Sequence, residues 1–276
     1  MVQTNTNAFH NFEHEGWQRA AAQYDAGFGD VTAQSVEPIL DAVHAIEGVR
    51  LLDVACGPGY VASAAARRGC APVTGTDFSS AMIELARRRD PAVVFDVGDA
   101  EALDFPADTF DAVTMNFGML HLSQPDTAIA EAFRVLRPGG RYAFTVWDSP
   151  PKTAGFEIVL DAVRRHGTMA VPLPDGPPFF RFSDPEESSR SLKAVGFVSI
   201  QSTVVPQIWK LESGAQLFQA MRRSAVRTGA LLSMQATNAL RNIEAEISKR
   251  AEEYRKENGI ELPMPSILIS AQKENG

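Results

Sequence analysis

The sequence predicts an α/β fold: a mostly parallel seven-stranded sheet with helices on both faces, N-terminal helices ahead of it and a helical insertion before the last strand. Three observations predict it. From residue 49 to residue 147, apolar runs of strand length alternate with helix-period segments, the pattern of parallel strands joined by crossover helices. Runs such as Leu51-Leu52-Asp53-Val54 lack strict apolar-polar alternation, as strands buried on both faces do. Glycine and proline mark the joins.

Taken in order, residues 15–26 and 35–47 read as helices, the second with Val36, Ile39, Leu40, Val43 and Ile46 on one face. Strands are expected at 49–54, 72–76, 92–97 and 110–115, with helices at 60–68 and 79–89 between them. Ser123 is the expected cap of a helix with Pro125 and Asp126 in its first turn and Leu136 near its end. Pro138-Gly139-Gly140 then turns into a strand at 141–147. A proline-rich stretch over 148–182 is read as irregular, Ser183-Asp184-Pro185-Glu186 starts a helix that Gly196 stops, and 197–209 reads as one long strand. Residues 213–257 are helical with a break near 229–233, and Leu240, Ile243, Ile247, Ala251 and Tyr254 form an apolar stripe. Gly259 ends that block and 266–271 is the last strand. The organisation is an N-terminal helical cap (1–48), a ligand-binding core (49–147), a proline-rich insertion with a helix and the sixth strand (148–212), a helical lid (213–258) and the last strand with the C-terminus (259–276).

The chain has 276 residues, 45% of them hydrophobic and 22% charged, which suits a soluble globular protein with a sizeable core. Its net charge of −8 opposes a phosphate backbone, so no nucleic-acid partner is expected. The basic runs Arg87-Arg88-Arg89 and Arg222, Arg223 and Arg227 read as solvated helix faces. Neither a signal peptide nor a membrane-spanning run is evident, so membrane insertion is not expected and the expected location is cytoplasmic. With only Cys56 and Cys70 in such a chain, no structural disulfide is expected. A homo-oligomer remains open.

The informative segment is Leu51 to Tyr60, LLDVACGPGY: an apolar strand, an acidic residue, then a Gly-x-Gly turn opening a helix. Gly57 and Gly59 let the backbone turn sharply and approach a ligand, at the strand edge where open α/β sheets bind ligands. Asp53 there opposes phosphate and suits an ammonium or sulfonium group. Asp77 lies 20 residues beyond Gly57 at the end of the second strand. It can hold both ribose hydroxyls of a nucleoside, or cap the following helix, or do both. Asp99, in Gly98-Asp99-Ala100-Glu101, can accept from an adenine amino group. Asn116 ends the fourth strand at the same edge, and Leu136-Arg137-Pro138-Gly139-Gly140 precedes the fifth.

These five elements, in this order and spacing, resemble the class I S-adenosylmethionine-dependent methyltransferases, which have a Rossmann-like fold, and especially the small-molecule group similar to quinone-biosynthesis enzymes. The resemblance is strong over 49–147. It implies S-adenosyl-L-methionine as cofactor, S-adenosyl-L-homocysteine as product, and in-line methyl transfer to a small molecule, which the aromatic and apolar residues of the later segments predict to be apolar or aromatic. It further implies that Asp53, Ala55, Gly57 and Gly59 line the methionine moiety. Asp77 would hold the ribose, with Phe78 and Met82 beside the adenine and Asp99 and Ala100 at its edge. Asn116 and Phe117 would sit near the transferred methyl, and Tyr24 or Trp17 would close over the cofactor. Cys56 departs from the glycine common at that position.

His121, in the loop after the fourth strand, is the candidate base where the acceptor must lose a proton; a role in ordering the loop is the alternative. His166 is a weaker candidate. Met119, Phe179, Phe180, Phe218 and Met221, with Phe182 and Leu217, are the candidate acceptor pocket. His10-Asn11-Phe12-Glu13-His14 matches a zinc-peptidase pattern, but it lies in what reads as a polar tail, and no metal site is expected. A nicotinamide-dependent dehydrogenase is disfavoured by Ala62 at the third glycine position and by Asp53. A nucleic-acid methyltransferase is disfavoured by the acidity of the chain. A non-catalytic cofactor-binding protein remains the rival, because the glycine turn and Asp77 serve it equally well.

Overall fold

The computed structural model describes residues 6–275. The N-terminal part comprises α1 (Thr6–Tyr24), a widened turn over Asp25–Gly29, α2 (Asp30–Ala33) and α3 (Val36–Ala42). The central alternation is β1 (Leu51–Val54), α4 (Tyr60–Arg67), β2 (Val73–Asp77), α5 (Ser80–Arg89), β3 (Val94–Val97), β4 (Phe110–Asn116), α6 (Pro125–Val135) and β5 (Leu136–Trp147). It is followed by α7 (Ala154–His166), α8 (Pro185–Ala194), β6 (Phe197–Val205) and β7 (Ile208–Leu211). The chain continues through α9 (Gly214–Arg223), α10 (Val226–Ser233), α11 (Thr237–Ala251), β8 (Arg255–Lys256), β9 (Gly259–Pro263) and β10 (Ser266–Lys273).

The main sheet has seven strands in the order β3-β2-β1-β4-β5-β10-β6. Strands β1 to β5 are parallel, and β10 runs antiparallel between β5 and β6. Period-two geometry divides its side chains between two faces. Leu51, Ala112, Ala143 and Leu268 pack with Ile39, Leu40, Val61, Ala65, Ile83 and Ala86 from α3, α4 and α5. Their neighbours Leu52, Val113, Tyr142, Phe144 and Ile269 pack with Ile129, Ala132, Val159 and Leu192 from α6, α7 and α8. Both faces are therefore dry, which explains the uninterrupted apolar runs. Chain order reverses between β1 and β4, the crevice position at which open sheets bind ligands.

Several expected elements differ. The N-terminal helix begins at Thr6, well before 15, and buries Phe9, Glu13, Gly16 and Ala20 along one face, so the zinc-peptidase-like stretch is helical and not a polar tail. The second helix ends at Ala42, and Ile46 is exposed. Gln124 precedes α6 where Ser123 was the expected cap; the Ser123 hydroxyl donates to Glu101 instead. Pro138-Gly139-Gly140 forms a bulge within β5: Phe110 pairs with Leu136, then Ala112 with Arg141. The proline-rich stretch contains α7, whose Phe156, Val159, Ala162 and Val163 repeat at helical spacing. The expected strand 197–209 splits at Pro206 and Gln207, and β7 joins β9 and β8 in a separate antiparallel sheet. The helical block breaks at Ser224-Ala225 and again after Ser233. Ile243, Ile247 and Ala251 are buried as expected, with α11 against α7 and α9. Among the described residues, no helix is long and apolar enough to cross a membrane.

Tyr142 is fully buried between Phe144 and Phe197, and its hydroxyl has no hydrogen-bond partner among the described residues. An unpaired buried hydroxyl costs about 1–3 kcal/mol. Tyr142→Phe is therefore expected to stabilise the fold by about 1 kcal/mol or more in urea denaturation. A lower midpoint with unchanged slope would show that the hydroxyl has a partner.

Candidate active site

One large cavity opens over the C-terminal ends of β1, β2 and β4, enclosing about 1220 Å³ free of protein atoms, its mouth included. Its walls differ in chemistry from end to end.

The first end is the glycine turn. Gly57 and Gly59 both have left-handed backbones, at φ +51° and +83°. A Cβ on Gly57 would meet nothing within 4 Å, leaving open space beside the loop. Gly59 does not line the cavity. A Cβ there would fall 2.9 Å from Phe95 and 3.1 Å from Ala86, so this glycine serves the packing of α4 under the sheet. Ala55 and Phe117 also have positive φ (50° and 57°) and both line the cavity. Such backbone strain in non-glycine residues gathers at functional sites.

Asp53 and Asp77 are 1% and 6% exposed. Asp53 accepts hydrogen bonds from the Ala62 N–H (3.1 Å) and the Thr114 hydroxyl (3.0 Å), tying the start of α4 to β4. Asp77 accepts from the Gly57 N–H and the Ser79 N–H, each at 2.9 Å, tying the glycine turn to α5. The hydroxyl of Ser79 caps α5. Burial pushes the Asp53 carboxyl up to about 7, against the pull of its two hydrogen bonds, and Asp77 up to about 6 for the same reason. Each carboxylate retains lone pairs for a ligand.

Further along, Phe78, Met82, Asp99 and Ala100 line the cavity, with Gly98 beside them. His10 and His14 stand edge-on to Phe78, with ring centroids 5.8 and 5.4 Å away. His10, Asp99 and Glu101 bring potential ligand atoms within 4.8 Å of one another, but both Glu101 oxygens already accept from Ser123 and Gln124. Tyr24 donates to the Thr32 hydroxyl (3.1 Å). Asn116 is held on both sides, donating to the Thr32 carbonyl (3.2 Å) and accepting from Thr145 (2.6 Å).

The second end is aromatic. Phe28, Phe117, Trp147, Phe156 and Phe179 line it, with Trp17 and His121. His121 is anchored by a residue that the sequence reading placed only in a zinc-peptidase-like pattern. Its Nδ1 lies 3.0 Å from one oxygen of Glu13, whose other oxygen accepts from Arg227 Nε at 2.9 Å. Glu13 has no exposed surface. A carboxylate only accepts, so Nδ1 carries the proton and Nε2 is the basic nitrogen. Phe179 is the expected acceptor residue that lines this space. Met119, Phe218 and Met221 are core residues and Phe180 packs behind Phe179; none of the four lines the cavity, and neither do Phe182 and Leu217. His166 is exposed at the end of α7.

The charge of the lining discriminates between cofactors. Asp53, Asp77, Asp99 and Glu101 face a single guanidinium, Arg227, at the opposite end. A pyrophosphate at the glycine turn would meet two buried carboxylates, whereas a sulfonium and ammonium would be balanced by them.

Comparison with known proteins agrees with that chemistry. Residues 52–144 match the methyltransferase domain family. A demethylmenaquinone methyltransferase of Clavibacter sepedonicus is 35% identical over 172 residues, covering 58% of this chain and 70% of the relative. The chain belongs to the class I S-adenosylmethionine-dependent methyltransferases and is similar to members named for quinone biosynthesis. A second methyltransferase of this group, the demethylmenaquinone methyltransferase of Renibacterium salmoninarum, is 41% identical over 112 residues, covering 41% of this chain and 47% of the relative. The match thus spans about half of that curated relative. Among solved structures, phosphoethanolamine N-methyltransferase 2 of Haemonchus contortus in complex with S-adenosyl-L-methionine shares the methyltransferase fold. Its TM-score is 0.54 at 20% identity, covering 92% of this chain and 57% of that one.

The raised carboxyls make a pH prediction. An acid whose folded value lies above its unfolded value favours folding at low pH and loses that contribution as pH rises through the folded value. Asp53 and Asp77 therefore lower the stability of the ligand-free chain as pH climbs from about 4 to about 7. Asp53→Asn is expected to be near-neutral at pH 4 and stabilising by a few kcal/mol at pH 8, since each tenfold change in proton affinity between the folded and unfolded chain is worth about 1.4 kcal/mol. Equal effects at both pH values in chemical denaturation would remove burial as the cause.

Proposed function

We propose that this chain transfers the methyl group of S-adenosylmethionine to a small aromatic acceptor carrying a hydroxyl, of the quinone-related kind for which its relatives are named. The observation that carries the reading is one continuous cavity with an acidic, glycine-lined end suited to a sulfonium nucleoside and an aromatic end holding a carboxylate-anchored histidine.

S-adenosylmethionine, when bound, supplies a methyl on sulfur open to in-line displacement and leaves as S-adenosylhomocysteine. The chain's own residues supply placement and dryness. Asp77 holds the ribose hydroxyls with the lone pairs left over from Gly57 and Ser79. Asp53 balances positive charge beside the glycine turn. Phe78 and Met82 flank the adenine, and Asp99 with Ala100 meets its edge. Tyr24 and Asn116 border the methionine end, where Phe117 and Trp147 exclude water. On the acceptor side, His121 Nε2 takes the hydroxyl proton while Glu13 steadies the resulting imidazolium. Deprotonation raises electron density on the acceptor before attack.

Two results test this. Calorimetric affinity for S-adenosylmethionine is expected to rise between pH 5 and pH 8, as Asp77 and Asp53 ionise to meet a cation, and to fall by about 1–3 kcal/mol in Asp77→Ala. A flat pH profile with unchanged affinity in the variant would reject the ribose and charge assignments. With methyl-labelled cofactor and a naphthoquinol acceptor, His121→Ala is expected to lower kcat by about 100-fold or more with cofactor affinity preserved. Full activity in the variant would remove His121 as base, and bound cofactor with no labelled product from any hydroxylated aromatic would favour a binding protein without transfer.

A further inference from the structure

The cavity end that holds His121 contains a group the reaction as written does not use. Arg227, at the start of α10, donates from Nε to Glu13 (2.9 Å) and from Nη1 to the Pro177 carbonyl (2.8 Å). Its Nη2 is buried and has no hydrogen-bond partner among the described residues. The guanidinium lies 4.3 Å from the ring centroid of Phe9 and 5.7 Å from that of Phe179, the same Phe179 that stands edge-on to His121. Arg227, Phe179 and His121 all line the cavity. An orphaned donor on a permanent cation is costly in a buried setting, and the residue that carries it lines the space where the acceptor is proposed to sit.

Charge accounting shows what would complete it. With His121 neutral, Glu13 and Arg227 cancel. When His121 accepts a proton at Nε2, the acceptor O–H bond breaks, the electron pair stays on oxygen, and the trio becomes +1 beside an oxyanion of −1. The trio and the acceptor together stay neutral throughout, provided the oxyanion lies within reach of the guanidinium. We propose that Arg227 is a specificity-determining residue that binds the acceptor through an acidic oxygen, a phenolate or enolate, and that Nη2 donates to it. Glu13 is then a positioning residue, holding base and anion anchor in one register. The proposal rests on the hydroxylated aromatic acceptor named above, and it adds that the hydroxyl is recognised as its anion.

The test is a binding comparison that needs no turnover. With S-adenosylhomocysteine saturating, the affinities of 2-hydroxy-1,4-naphthoquinone, ionised at neutral pH, and of 1,4-naphthoquinone, its uncharged counterpart, are measured by calorimetry. The wild-type chain is expected to prefer the ionised ligand by about tenfold or more, the usual scale of a charged hydrogen bond. Arg227→Gln is expected to lose that preference, and Arg227→Lys, which keeps the charge and covers the case in which the glutamine variant misfolds, to retain part of it. Equal wild-type affinities, failure of both ligands to bind, or a preference that survives in a folded Arg227→Gln variant would overturn the assignment. Methyl transfer assayed on the same preparations separates the two readings: transfer without anion preference rejects the role of Arg227 alone, and anion preference without transfer rejects the proposed reaction alone.

Discussion

Two carboxylates buried at the C-terminal edge of the sheet are the constraint on which the site depends. Asp53 and Asp77 come from adjacent parallel strands, and each spends its oxygens on groups that shape the cavity: backbone N–H donors and, for Asp53, also the Thr114 hydroxyl. Without Asp53 the first turn of α4 loses an acceptor for the Ala62 N–H, one of the orphan donors of a helix N-terminus. Without Asp77 the glycine turn and the start of α5 lose their common anchor. Both groups sit above their ordinary range because burial disfavours the charged form. The edge therefore stores unfavourable desolvation energy that a cationic ligand relieves. On the proposed reading, the same carboxylates shape the turn and set the sign of the charge it accepts.

A third buried carboxylate organises the opposite end. Glu13 belongs to α1, His121 to the loop after β4 and Arg227 to α10, so one side chain joins three segments that are remote in sequence. The helices carrying the acid and the guanidinium can approach because Gly16 leaves room: a Cβ there would fall 2.3 Å from Val226. Gln18 fastens the same α1 to the start of α5, accepting from the Ala81 N–H and the Ser79 hydroxyl. The cap is thus seated through polar contacts with the cavity rim as well as by apolar packing. Such contacts are directional, and they hold the cap in a defined register over the cavity.

What the sequence made legible follows from the range of the interactions involved. The strand-helix alternation of 49–147, the glycine turn and the acidic residues at the strand ends are local features, and eleven of the twelve expected cofactor residues line the cavity, all but Gly59. The splitting of 197–209 was hidden because Pro206 and Gln207 interrupt an otherwise strand-like run, and only the partner strands show that its halves belong to different sheets. Helix α7 had a readable period in Phe156, Val159, Ala162 and Val163 that the flanking prolines obscured. Phe218 and Met221 have the composition of a pocket, yet the amphipathic face of α9 directs them into the core. The only local signal at Glu13 was a zinc-peptidase-like pattern, which pointed to a metal and not to His121. The partners of Glu13 lie 108 and 214 residues away, and a glutamate among polar neighbours reads as solvated until the fold brings its counter-charges to it.

The two ends of the cavity are free to vary separately. The acidic, glycine-lined end is built by consecutive βα units and tied down by the hydrogen bonds of Asp53 and Asp77. The aromatic end adds α1 with the turn after it, the stretch after β5 and the helical block before β10 to Phe117, His121 and Trp147 at the strand ends, and the sheet does not dictate those added segments. The family match over 52–144 covers the first end and stops short of most of the second. Likeness at 20% identity likewise carries the fold without the acceptor. On the proposed reading, acceptor choice in this chain resides in residues such as Phe179 and Arg227, whose positions are set by the packing of the inserted segments, and it can change while the sheet edge stays the same.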